Sequence, residues 1–302
     1  MITLHGERGF EKVDSWDDIL SIPGFTEKLD PKKYELKEII GRYIFKEKIS
    51  CGLSTCRQPH SKGYLVTTKS GQVTNIGNMC GKTHFGIEFQ ELSRIFDRAI
   101  TEHNNREAIA SFLFRLESNL DLLETLRKNN KGADWVYKTS RALFQRGRGV
   151  PDTVVVKISD MVRRRNGVIT MPRIASESEI KDLEIIQRRT IERPYYIEEE
   201  KGNLKGIEVL YEENDLREII AKDLESNLKN ISDINIDGAS YKDLQFWAKW
   251  CGEFDNKIEN IEKIIGYGKV FLSAENLKQL LIAIEDKDDL KEFKNWLSKN
   301  IE

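Results

Sequence analysis

Residues 51–86 read CGLSTCRQPHSKGYLVTTKSGQVTNIGNMCGKTHFG and hold three of the chain's four cysteines and two of its four histidines. Two β-prone runs, YLVTT (64–68) and QVTNI (72–76), flank the turn residues Lys69, Ser70 and Gly71, which predicts a hairpin. Cys51 and Cys56 bracket a tight turn before it. From Met79 the pattern becomes helical, and Cys80 and His84 stand four apart at the helix start, where they share one face and can reach the same ion. Zinc accepts a Cys3His set tetrahedrally, with sulfur at about 2.3 Å, and four protein ligands leave no open position for chemistry. The expected ligands of a structural Zn2+ are therefore Cys51, Cys56, Cys80 and His84. His60 is an alternative to either Cys56 or His84.

The order of these parts, a two-ligand knuckle, a hairpin, then a helix bringing the last ligands, resembles the treble-clef zinc fingers over residues 51–95. The resemblance implies a metal that fastens a small binding module. The stretch NIGNMCGKTH (75–84), with His60 upstream, also resembles the His-Asn-His nucleases. That likeness implies His60 as the base that activates water, Asn75 as its orienter and His84 as ligand of a divalent metal. Pro59 and Ser61 stand where that family carries an acidic ligand.

Outward from this segment, SWDDILSI (15–22) predicts a short helix, Pro23 and Gly24 a turn, and EIIGRYIFKEKIS (38–50) a strand leading into Cys51. Phe85, Phe89, Leu92, Phe96 and Ala99, then Leu113, Leu116, Leu120, Leu123 and Leu126, recur at helical spacing. They predict one long helix or two stacked ones, with the leucines as core or as an oligomer seam. ADWVYKTSRALFQR (133–146) is amphipathic and GRGVPD (147–152) breaks it. TVVVKISDMVRRRNGVITMPR (153–173) mixes a β-branched run with a basic turn, SESEIKDLEIIQRRTIER (176–193) is a helix, and YYIEEEKGNLKG (195–206) reads as a boundary. Consecutive short helices follow, among them YKDLQFWAKWCGEF (241–254), NKIENIEKII (256–265), SAENLKQLLIAI (273–284) and DLKEFKNWLSKNI (289–301). Cys251, set among aromatics, reads as a small buried residue.

The fold class expected is α+β, mainly α-helical: a small N-terminal β-hairpin zinc module (1–100), a basic helical middle region (101–197) and an acidic helical C-terminal domain (198–302). At 302 residues, with 39% hydrophobic residues, the chain can bury a real core. No run of apolar residues is long enough to span a membrane. Glu7, Glu11 and Asp14 leave the first residues without a leader's apolar segment, so a cytoplasmic protein with reduced thiols is expected.

The net charge of -2 conceals an asymmetry. Residues 198–302 carry 15 Lys and Arg against 24 Asp and Glu, while residues 127–173 hold twelve Lys and Arg against Asp134, Asp152 and Asp160. Arg146, Arg148, Arg163, Arg164, Arg165 and Arg173 gather around glycine-containing loops, where guanidinium groups suit phosphate. These residues are the expected nucleic-acid contacts of a non-enzymatic accessory protein. The alternatives are a protein-interaction scaffold or inhibitor that oligomerises through its helices, and the metal-dependent nuclease.

Overall fold

The computed structural model describes residues 1–6 and 9–301, so Glu7 lies outside the described residues. The chain is α+β and mainly helical, with a small antiparallel sheet before the long helices. By contact it divides into two compact units, Met1–Ala110 with Ile236–Ala248, and Ser111–Asn235 with Lys249–Glu302. Composition divides the chain at 100 and 197, whereas packing places most of the basic and acidic regions together in the second unit. Arg127 pairs with Glu225, Arg141 with Asp215, and Arg165 with Glu213 there, so opposite charge joins the two regions.

In the first unit, β1 (Ile2–Gly6), β2 (Gly9–Val13), β3 (Leu36–Ser50), β4 (Pro59–Thr68) and β5 (Val73–Gly77) form one sheet in the order β2-β1-β3-β4-β5, each pair antiparallel. α1 (Trp16–Leu20) is capped by Ser15, whose hydroxyl accepts from the Asp17 N–H at 3.1 Å. Successive strand residues face opposite sides. Tyr64 and Val66 pack with Phe89, Phe96 and Ile100 of α2 (Asn78–Phe114), while Leu65 packs with Tyr43, Ile2 and Ile19 on the other face. A strand covered on both faces must be apolar throughout, which is why residues 64–66 show no polar alternation.

Two irregularities matter for the site. Register between β3 and β4 jumps from Ile44 opposite Lys62 to Ile49 opposite His60, so residues 45–48 have Ser61 alone opposite them; Phe45 stays packed on the core while Lys46, Glu47 and Lys48 are exposed. α2 is broken at Gly86, whose φ of 59° and ψ of -135° are open to glycine alone. The break folds the first turns back: a Cβ on Gly81 would meet the Phe89 ring at 2.4 Å, although eight residues of straight helix span about 12 Å.

In the second unit, α3 (Leu116–Lys128) follows α2 after Arg115; Leu123 is buried and Leu120 exposed. α4 (Ala133–Phe144) and α5 (Asp152–Arg164) come next. The β-branched run 153–156 lies inside α5, where Val154, Val155, Ile158 and Met161 form a buried helical face. β6 (Val168–Ile174) pairs with β7 (Tyr196–Asn203) across α6 (Glu177–Gln187), so the expected boundary at 195–206 is largely a strand. A π-helical stretch, Glu218–Glu225, runs into α7 (Ser226–Ser232). α8 (Tyr241–Phe271) unites two segments read as separate helices and crosses from one unit to the other, and α9 (Ala274–Lys278) and α10 (Lys287–Asn300) complete the chain.

Candidate metal centre

The knuckle is built by backbone hydrogen bonds. Cys51 N–H donates to the Gln58 carbonyl at 3.1 Å, Gly52 N–H to Asn75 at 2.8 Å, and the N–H groups of Cys56 and Arg57 both turn back to the Leu53 carbonyl at 3.2 and 3.3 Å. Arg57 takes a left-handed φ of 52° to close the turn. Leu53, fully buried, anchors the knuckle in the core beneath α2.

The sulfurs of Cys51, Cys56 and Cys80 lie within 4.8 Å of one another, with Cys56 and Cys80 at 3.1 Å, and all three are free thiols. Sulfurs on a tetrahedral zinc at about 2.3 Å would stand about 3.8 Å apart, so small adjustments bring this set to a metal. Burial, with the neighbouring thiols, pushes Cys80 up to about 12, and burial likewise raises Cys51. The Gln58 amide, then Cys80, lowers Cys56. Three thiols so close cannot all ionise unaided, and a cation supplies the missing charge.

Both expected histidines lie outside this group. His84, exposed, shares the first turns of α2 with Cys80. His60 is held by its neighbours: Nε2 lies 2.5 Å from the Tyr43 hydroxyl and Nδ1 3.1 Å from the Gln58 carbonyl. Asn75, 2% exposed, donates through Nδ2 to the Ser50 carbonyl at 2.8 Å and to Tyr43 at 3.4 Å. These bonds tie β3, β4 and β5 together behind the thiols, and burial raises the Tyr43 hydroxyl, keeping it protonated. Asn75 thus braces the sheet, and neither His60 nor His84 belongs to the cysteine group.

The six arginines are spread through the second unit. Arg163 and Arg164 pair with Asp160, Arg165 with Glu213, Arg173 with Glu179 and Glu199, and Arg146 with Asp152 at 3.7 Å. Arg148 is exposed and has no ion pair among the described residues. Sequence reasoning passed over a closer basic set: residues 46–86 hold Lys46, Lys48, Arg57, Lys62, Lys69 and Lys82 against Glu47 alone. Lys69 pairs with Glu35; the other five are exposed, without ion pairs among the described residues. Counting charge over this segment alone would have found them.

Comparison with protein-family models, curated proteins and solved structures gives no match, so the functional reading rests on the chemistry of the site. No helix among the described residues is long and apolar enough to cross a membrane.

Proposed function

We propose that the chain is a zinc-stabilised, non-enzymatic nucleic-acid-binding protein whose first unit is fastened by a structural metal. The observation that carries this reading is the convergence of Cys51, Cys56 and Cys80 from the knuckle and the α2 start. His84 completes the set as its exposed ring swings toward Cys80, in the manner of a treble clef, since both ring nitrogens of His60 are engaged. Three thiolates and one Zn2+ leave a net negative charge, which the unpaired lysines and Arg57 more than offset. The module thus presents positive charge to phosphate.

Elemental analysis of purified protein tests the metal. One zinc per chain is expected, falling to a small fraction in Cys80→Ser, while His84→Ala retains metal with lower affinity. Binding to nucleic acid that weakens steeply with salt completes the reading, and a metal-free native protein or no binding at low salt removes it.

A second reading, protein interaction, is favoured by the exposed Ile174, Tyr196, Ile185 and Ile186, of which Ile174 and Tyr196 are cross-strand neighbours. A stable oligomer in light scattering without nucleic-acid affinity would support it instead.

A further inference from the structure

We infer that the cleft along α2 in the first unit is a binding track for single-stranded nucleic acid; this rests on the nucleic-acid reading above and names its surface. Gln90, Ser93, Arg94, Asp97, Arg98 and Thr101 recur at three- and four-residue steps, so they form one polar stripe on α2, beside the apolar face of Phe89, Phe96 and Ile100. The stripe lines a cleft of about 500 Å³, whose wall also includes Asn78, Lys82, Tyr64 and Tyr241.

The charge of the cleft points to phosphate. Its one acid, Asp97, is already neutralised: Arg42 pairs with it at 3.1 Å and the Tyr64 hydroxyl donates to it at 2.7 Å. Lys82 and Arg94 are exposed and carry no ion pair among the described residues. The Arg98 guanidinium lies over the Tyr241 ring, 4.6 Å from its centroid, and pairs with Glu102, which leaves its face as a platform. Ser93, Gln90, Thr101 and Asn78 supply neutral hydrogen-bonding groups of the kind that position a phosphate backbone. A cleft of about 500 Å³ admits roughly one or two nucleotides, which favours a single strand over a duplex.

The metal centre sets the geometry of this track. Asn78 and Lys82 precede the break at Gly86, and the remaining stripe follows it. Cys80 sits between Asn78 and Lys82, so its anchorage fixes where those two lining residues lie.

The test is fluorescence anisotropy of the full, zinc-loaded chain with a labelled single-stranded oligothymidylate across a salt series. Lys82→Glu/Arg94→Glu is expected to bind about tenfold or more weakly, with a salt slope shallower by about 1.4 for two lost phosphate contacts, while Arg188→Glu/Arg189→Glu, exposed in the second unit, stays within about twofold of wild type. Arg94→Glu alone, beyond the helix break, gives part of the loss, with a slope shallower by about 0.7 and with zinc content and circular dichroism unchanged. Wild-type affinity in the cleft variants overturns the track and leaves the nucleic-acid reading standing, as does a duplex bound as tightly as the single strand. No binding by wild type at low salt overturns both.

Discussion

At the residue scale, the thiols give the chain two opposite dependences on pH. Without metal, Cys51 and Cys80 are held as neutral thiols, so the fold gains stability that is complete below the ordinary thiol value near 9 and is lost as the pH climbs towards 12. With zinc the sign reverses, because binding expels thiol protons and acid restores them. Thermal melts of stripped protein are therefore expected to fall above pH 9, whereas zinc-loaded protein should lose stability and release metal as the pH drops below neutral. Identical profiles for both forms would show that the thiols hold no ion. Cysteine spacing made this cluster legible in sequence because a turn and a helix start constrain where sulfur can go. The role of Asn75 was not legible: its side chain answers a carbonyl left open at Ser50 by the chain's departure from β3, which only the assembled strands reveal.

At the scale of elements, the hairpin of β4 and β5, the short α1 and the long β3 follow from local pattern, each with strong turn or capping residues at its ends. β1 and β2 do not, because among their described residues only Ile2 is deeply buried and their alternation is weak. The valine run of α5 carries β propensity, which burial of one helical face overrides. β7 disguises itself with Glu198, Glu199 and Glu200, tolerated because a two-stranded sheet leaves one edge wet. The polar stripe of α2 is written in the same helical spacing as the apolar stripe beside it. The break in α2 carries its own expectation. Gly86→Ala meets no atom within 4 Å, so any loss comes from backbone alone. Holding alanine there costs about 1 to 3 kcal/mol, read as a lower denaturation midpoint, together with weaker zinc retention as the first turns pull away from the knuckle. An unchanged midpoint would mean that the break is not kept in solution.

At the scale of the whole molecule, the second unit is joined by contacts distant in sequence. Asp223, in the π-helical stretch, accepts from Trp250 Nε1 at 2.9 Å and Asn227 Nδ2 at 2.8 Å and pairs with Lys257, clasping α8 to the segment before α7. Asp223→Ala is expected to cost about 2 kcal/mol in chemical denaturation, while leaving zinc content untouched because the thiols belong to the other unit. Loss of zinc with that substitution would contradict the division. Charge asymmetry was plain in the sequence, but its meaning was not: Arg127, Arg141 and Arg165 pair with acids of the same unit, while the smaller basic segment around the knuckle carries five exposed cations without ion pairs among the described residues.

The first unit also takes a late piece of the chain, 236–248, to itself. During synthesis, the ring that supports Arg98 must wait for Tyr241 to leave the ribosome, more than a hundred residues after Cys80. The three thiols thus come together on residues made well before Tyr241, so an ion offered to them could be taken up before the cleft is complete.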